Sequence, residues 1–198
     1  RLTLIPRPLR MWSRYQSVLQ FLLKGLAIYG VWYVVYDLYL LPDGRLDEWL
    51  SVNVANVTAA IMGGIGFEAV AQYRSVLMEG VPGVRIINGC NGLTTIGLFI
   101  GFVVAFPGSW KHRLWFIPMG ILAIYAANVF RVIAMLGFQM YWPAAFDPMH
   151  SFGMTTFFYV VVFGLWMAWA HLNEGPSTAS DDGATPSPSA SQEPALSS

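Results

Sequence analysis

The chain has 198 residues, of which 56% are hydrophobic and 15% aromatic, whereas only 11% are charged. Soluble globular domains carry about 25% charged residues, so this composition indicates an integral membrane protein. The formal net charge is zero and no basic patch is interleaved with aromatic residues, which argues against nucleic acid as a partner.

The N-terminal segment, residues 1–17, is basic and contains four arginines. The apolar run that follows, residues 18–41, is too long for the core of a signal peptide and lacks a small-residue cleavage site. We therefore expect it to be retained as a membrane span. Lys24, near the start of this run, can extend its ammonium group to the membrane interface.

The next part of the chain is more polar. Residues 42–51 are predicted to form a polar connection. Residues 52–70 are apolar but interrupted by Asn, Thr and Gly, which favours a re-entrant or interfacial helix, or a helix packed on the bundle, over a span. Weak alternation around a turn signal at residues 79–83 predicts a short β-hairpin, with strands at about residues 72–78 and 84–88.

Three further apolar runs, residues 91–106, 114–142 and 152–170, complete the predicted membrane core, which extends over residues 18–172. Residues 173–198 are rich in Ser, Pro and Ala. Such a segment cannot bury enough apolar surface to offset its ordering entropy, so it is predicted to be a disordered cytoplasmic tail.

The distribution of positive charge predicts the topology, because Lys and Arg concentrate in short cytoplasmic loops. The basic N-terminus and the Lys111-His112-Arg113 loop are then both cytoplasmic, and residues 42–89 begin and end outside. The predicted fold is an all-α integral membrane protein with about four transmembrane helices, a re-entrant or interfacial helix and a short extracytoplasmic β-hairpin. In the alternative, residues 52–70 form a fifth span.

Cys90 is the single cysteine of the chain, so it cannot form an intrachain disulfide. It precedes the run 91–106 and is expected at a helix start, where unpaired N–H groups and the helix dipole favour the thiolate. An inert buried thiol and an intermolecular bridge remain the alternatives to a nucleophile, since free cysteine is among the most frequently buried residues.

Two more polar residues are predicted to reach the depth of Cys90. Arg131 follows Arg113 by 18 residues, which is roughly 27 Å along a helix and close to the outer surface of a hydrocarbon core about 30 Å thick. His150 precedes the last apolar run, again on the outer side. The other two histidines, His112 and His171, fall on the cytoplasmic side.

Cys90, Arg131 and His150 together suit nucleophilic catalysis, which needs a base for the thiol and a group that stabilises an oxyanion. The neighbouring polar residues are candidates for orienting or substrate-binding groups: Asn88, Asn91, Asn128 and Asp147. No metal or cofactor is expected, because the scattered Cys and His positions match no ligand spacing and no phosphate-binding loop is present.

Three segments together resemble the exosortase/archaeosortase family: Asn88-Gly89-Cys90-Asn91-Gly92 at the head of a span, Asn128-Val129-Phe130-Arg131 near the outer end of the next, and His150 before the last. The resemblance covers about residues 18–172. It implies an integral membrane cysteine transpeptidase or protease with a Cys90/Arg131/His150 site, in the inner (plasma) membrane with that site on the extracytoplasmic side.

The resemblance also implies the partner. The substrates that it implies are membrane-anchored proteins with a C-terminal sorting signal, namely a short motif such as Pro-Glu-Pro, a transmembrane helix and a basic tail. Cleavage would proceed through a thioester on Cys90, with transfer to a surface lipid or glycan. The sorting motif, the acceptor, the subfamily and the oligomeric state are left open by the sequence.

Two other functions are compatible with the sequence. In one, the protein is a non-enzymatic scaffold or polysaccharide-export partner, in which Arg131 pairs with Asp37 or Glu68 and Cys90 serves only for packing. In the other, it is a lipid-linked acyl transferase that carries a fatty acyl group on Cys90.

Overall fold

A computed structural model of the chain describes residues 7–173, including the side chains from residue 16 onward apart from Ser17 and Phe21. The start of the basic N-terminus, residues 1–6, and the expected tail beyond Asn173 lie outside the described residues. The described part is mainly helical, with five principal helices: α1 (Arg7–Val35), α2 (Arg45–Gly64), α3 (Leu93–Ala105), α4 (Trp110–Tyr141) and α5 (Met154–Asn173).

Three segments of the described chain are long and apolar enough to cross a membrane: Val18–Asp43, Trp110–Tyr141 and Pro143–Asn173. The first continues α1 through a π-helical turn, Tyr36–Leu40. The third precedes α5 with a second π-helical turn, Met149–Gly153. Both turns lie at the ends of spans, where an irregular helix redirects the side chains that it carries.

One of the four expected spans, residues 91–106, is observed as the shorter helix α3, which has 13 residues. At 1.5 Å per residue this helix is only about 20 Å long, shorter than a hydrocarbon core of about 30 Å. Its C-terminal carbonyls are bonded within the protein, since Arg113 donates to the carbonyl oxygens of Val103 at 3.2 Å and Phe106 at 3.1 Å. The C-terminal end of α3 is therefore held by a side chain of α4.

The polar connection expected at residues 42–51 is largely helical, because α2 begins at Arg45. Asp47 and Glu48 occupy its first turn, where negative charge interacts favourably with the helix dipole. Helix α2 is not one of the described helices that are long and apolar enough to span a membrane. It packs instead against α4 and a small sheet, in agreement with the expectation that residues 52–70 do not form a fifth span.

The expected hairpin is part of a three-stranded antiparallel sheet, with β1 (Ala69–Gln72), β2 (Ser75–Met78) and β3 (Val81–Arg85) in that spatial order. Strand β3 begins earlier than expected because the turn is only two residues long. Gly80 adopts a φ of +79°, a conformation that glycine accepts readily, and this allows Val81 to pair with Met78.

Two larger apolar clusters, together with a small one formed by Tyr36, Leu50 and Leu93, hold the described elements together. One joins α2, the sheet and α4, and contains Val54, Val76, Ile86 and Val129. The other joins α3, α4 and α5 around aromatic side chains: Phe99, Phe116 and Trp169. The segment between the sheet and α3, which carries Cys90, is bounded by two buried residues, Ile86 of the first cluster and Leu93 of the small one.

Candidate active site

Cys90 lies in a turn between β3 and α3. Its N–H donates to the carbonyl oxygen of Ile87 at 3.0 Å, and the glycines on both sides, Gly89 and Gly92, have φ values of +82° and +86°. The turn therefore depends on glycine, since other residues adopt this left-handed conformation only under strain.

The sequence placed Cys90 at the helix start, whereas α3 begins three residues later, at Leu93. The N–H of Leu93 is bonded by the side-chain oxygen of Asn91 at 3.1 Å. The hydrogen bond that the Cys90 sulfur receives comes from Arg131, whose Nη2 lies 3.6 Å from Sγ. A side-chain cation, rather than the first N–H group of α3, is therefore the partner of the sulfur.

Arg131 is half-buried on α4, and its guanidinium lies over the Phe158 ring at 5.6 Å from the ring centre. The scaffold hypothesis required Arg131 to pair with Asp37 or Glu68. Within residues 7–173 it forms a salt bridge with neither, and its neighbours are the Cys90 sulfur and the Phe158 ring. The ion pair that the scaffold hypothesis predicts is therefore not observed among the described residues.

His150 belongs to the π-helical turn Met149–Gly153, and its ring stacks on Phe146 at 6.0 Å between ring centres. Together with Cys90 and Arg131 it lines a cavity of about 70 Å³ whose remaining wall comes mainly from β3 and α4. No hydrogen bond joins the exposed His150 ring to Cys90 in the described part of the chain. The three side chains thus share one cavity, with one direct contact between them.

A larger cavity, about 760 Å³, opens on the other side of Arg131 between α3 and α5, and we call it the α3–α5 groove. Arg131 and Gly89 line one end of it together with threonines, and the rest of the wall is mainly aromatic or aliphatic. Arg131 therefore borders both the small cavity at Cys90 and an extended apolar groove.

The two asparagines that flank Cys90 are both bonded to other elements. Asn88 accepts a hydrogen bond from Arg74. Asn91 is buried and donates through Nδ2 to the Oδ1 of Asp47 at 2.6 Å. Asp47 is fully buried, and the Tyr36 hydroxyl lies 3.3 Å from each of its carboxylate oxygens. Both flanks of the cysteine are thus anchored by polar side chains.

Sequence reasoning missed Asp47 because it assigned residues 42–51 to a polar connection. A helical pattern was nevertheless readable there. The buried positions of α2 recur at the three- and four-residue spacing of one helix face: Asp47, Leu50, Ser51, Val54, Ala55 and Thr58. A carboxylate on the buried face of a helix was the signal that this segment contributes to the site.

The last two predicted site residues, Asn128 and Asp147, form no hydrogen bond with Cys90, Arg131 or His150 in the described part of the chain. Asn128 is fully buried beside Gly92, and neither polar atom of its side chain has a hydrogen-bond partner among the described residues. Asp147 is exposed, and no hydrogen bond connects it with His150 in residues 7–173. The geometry therefore brings Asn128 next to the Cys90 turn and leaves Asp147 unconnected to the histidine that it was expected to orient.

The other two histidines lie at the helix ends that are far from Arg131 and His150. His112, in the first turn of α4, faces Asn173 at 3.2 Å from its ring nitrogen. It precedes Arg131 by 19 residues, or roughly 28 Å of helix. His171 is in the last turn of α5. Neither residue is near the cavity that contains Cys90.

The family model described as transmembrane exosortase matches residues 10–167 of this chain. The matched range contains the sheet, α2, α3, α4 and most of α1 and α5, and with them Cys90, Arg131 and His150. No curated protein and no solved structure matches the chain. Because the family match covers well over half of its length, the chain belongs to the transmembrane exosortase family, a family of membrane sorting enzymes.

Proposed function

We propose that this protein is a membrane-embedded cysteine transpeptidase or protease that cleaves C-terminal sorting signals of exported proteins near the outer membrane–water interface. Cys90 is the nucleophile, Arg131 stabilises negative charge and His150 transfers protons. The observation that carries the proposal is the 3.6 Å contact between Arg131 and the Cys90 sulfur, on the wall of a cavity that His150 also lines.

In the first half of the reaction, the Cys90 thiol gives its proton to His150 and its sulfur attacks the scissile carbonyl carbon. The carbonyl oxygen becomes an oxyanion. The Arg131 guanidinium stabilises this negative charge, since it already lies next to the attacking sulfur. His150 then donates the proton to the leaving amine. The C–N bond breaks and a thioester remains on Cys90.

In the second half, an acceptor hydroxyl or amine, or water, attacks the thioester. His150 removes the proton of the acceptor and returns it to the departing sulfur. The substrate is released as an ester, amide or free acid, and Cys90 is regenerated as a thiol. Each proton transfer uses the same imidazole, so one histidine is sufficient for both halves.

The exposed position of His150 is compatible with this role. Hydrogen bonds of a catalytic base are often long or absent without substrate and shorten when the substrate is bound. His150 sits in an irregular π-helical turn at the head of α5, which is a frequent location of functional residues in helices. We expect the ring to approach the sulfur when a substrate occupies the cavity.

An extracytoplasmic site in the inner (plasma) membrane is part of the proposal. Lys111 and Arg113 lie at one end of α4, and Arg131 lies roughly 27 Å further along the same helix. Positive charge at the first end favours the cytoplasm, so the end with Cys90 faces the outside. A sorting signal that emerges from the bilayer would meet the nucleophile there.

The adduct on Cys90 is the direct test of the reaction. A reporter that carries a Pro-Glu-Pro motif, an apolar helix and a basic tail is co-expressed with the wild-type protein, and the cells are quenched in acid so that a thioester on Cys90 is preserved. Mass spectrometry of the Cys90 peptide is expected to detect the reporter fragment. A fatty acyl adduct would establish the acyl-transferase alternative instead, and the Cys90→Ala variant serves as the blank.

The orientation is tested by labelling of Cys90 in intact cells with a membrane-impermeant maleimide. The chain contains one cysteine, so any label reports on this position alone. We expect labelling from outside, and none in Cys90→Ala. Labelling that appears only after the cells are permeabilised would place the site on the cytoplasmic side and contradict the proposed orientation.

A further inference from the structure

Asp47 is a buried carboxylate that the proposed reaction does not use. It is fully buried and, within residues 7–173, no salt bridge connects it to a cation. Its carboxyl oxygens are held by hydrogen bonds from Asn91 at 2.6 Å and from the Tyr36 hydroxyl at 3.3 Å. A carboxylate without a counter-ion is costly to bury, so a carboxylate at this position needs an explanation.

The contacts of Asp47 lead to the Cys90 turn. Asn91 uses its amide nitrogen to contact Asp47 and its amide oxygen to bind the N–H of Leu93 at the start of α3. The residue next to the nucleophile is therefore held at both ends of its side chain. Since an amide side chain has fixed donor and acceptor ends, this arrangement allows one orientation of Asn91.

A second connection from α2 reaches the other side of Cys90. The Ser51 hydroxyl donates to the main-chain oxygen of Asp47 at 2.7 Å and accepts from the Arg74 guanidinium at 2.9 Å. The same Nη2 atom of Arg74 also donates to Asn88. The first turns of α2 thus reach Asn88 as well as Asn91, and Cys90 lies between these two residues.

We propose that Asp47 is a positioning residue for the nucleophile. Through Asn91 it holds the turn formed by Cys90 and its two glycines, and so keeps the sulfur within reach of Arg131. The inference rests on the proposed role of Cys90. The glycines allow the turn but also make it pliable, so an external anchor is required. A displacement of about 1 Å at a reacting atom can lower a rate by about 100-fold.

A reciprocal exchange of the two side chains tests this role. Asn91→Asp alone brings two carboxylates together where the oxygen and nitrogen are now 2.6 Å apart. We expect it to lower kcat for the reporter by about 100-fold, with KM changed by less than about threefold. The double variant Asp47→Asn/Asn91→Asp restores one amide and one carboxylate, so that the side chains at positions 47 and 91 can still bond to each other and position 91 can still accept from the Leu93 N–H. It loses only the longer bond, at 3.4 Å, from the Asn91 amide to the main-chain oxygen of Asp47. It is expected to recover kcat to within about fivefold of wild type.

Asp47→Ala removes the acceptor without creating a like-charge pair, and it provides the test if Asn91→Asp fails to fold. We expect its kcat to fall by at least about tenfold with KM nearly unchanged. The matched control is Tyr125→Phe, which removes a different hydrogen bond to α2, the 2.5 Å contact with Asn53. This control is expected to lower the thermal midpoint by a similar amount and to leave kcat unchanged.

The outcomes separate this inference from the proposed function. If Cys90→Ala is inactive while Asn91→Asp, the exchange variant and Asp47→Ala all retain wild-type kcat, the positioning role is wrong and the nucleophile assignment stands. An exchange variant as impaired as Asn91→Asp, with a wild-type thermal midpoint, would also refute it. Full activity in Cys90→Ala would refute both.

Discussion

Cys90→Ala is expected to reduce cleavage of the sorting-signal reporter below detection, on the order of 10⁵-fold or more in kcat. The reason is that no other side chain in the cavity is a nucleophile, so the acyl-enzyme pathway is lost rather than slowed. This corresponds to about 7 kcal/mol of transition-state stabilisation. The measurement is the conversion of reporter in cells that express equal amounts of each variant, followed over several cell doublings.

A thermal unfolding measurement is the control for the alanine variant. Cys90 is only partly buried, so the loss of one sulfur atom is expected to shift the midpoint by no more than a few degrees. Cys90→Ser serves as the isosteric comparison, and some residual turnover by a hydroxyl would not count against the proposal. Wild-type cleavage by the alanine variant would end the nucleophile assignment.

Arg131→Ala is expected to lower kcat by about 10²–10³-fold, which is equivalent to about 3–4 kcal/mol, because it removes the charged donor proposed for the oxyanion. Arg131→Lys retains a positive charge but loses the planar, multiply donating fork, so it is expected to recover only part of this activity. Single-turnover measurements of thioester formation on purified protein distinguish this effect from slow product release.

Arg113 on the same helix is the matched control for Arg131. It also packs its guanidinium inside the protein, but it binds the carbonyl oxygens at the C-terminus of α3. Arg113→Ala is expected to reduce stability without changing kcat. Equal losses of kcat in Arg113→Ala and Arg131→Ala would indicate that both residues act only on the structure, and would remove Arg131 from the reaction.

Arg131 borders two spaces, and this has a consequence for substrate entry. The small cavity contains the sulfur, whereas the α3–α5 groove runs from Arg131 along mainly apolar surface. Arg131 lines the groove, whereas Cys90 lines only the small cavity, so a substrate in the groove would contact the guanidinium. Such a contact is compatible with the role proposed for Arg131 at the oxyanion.

The position of Arg131 along its helix could be predicted from the sequence, whereas its contacts could not. Helix rise alone set its distance from the cytoplasmic loop, since 1.5 Å per residue is independent of neighbouring elements. The charge-based topology predicted that His112 and His171 lie on the opposite side from Cys90. The contact with the Cys90 sulfur did not follow from helix rise, because it depends on the rotation of α4 against the turn before α3.

The α2 segment shows where sequence reasoning stopped. Its weak hydropathy keeps it outside the candidate spans, whereas the polar composition of its first turn does not by itself indicate a helix. The role of Asp47 is non-local. Its partners are Tyr36, 11 residues earlier, and Asn91, 44 residues later. Pairings over such separations leave no periodic pattern in the chain.

The sequence by itself determined the membrane class of the protein and the approximate positions of its apolar helices, and it predicted a common depth for Cys90, Arg131 and His150. These properties depend on composition, on hydropathy and on helix rise, all of which are local. Tertiary structure decided the length of α3, the third strand, the cation that contacts the sulfur and the buried network that begins at Asp47. Each of these depends on which faces of distant segments meet, and packing between elements alone determines that.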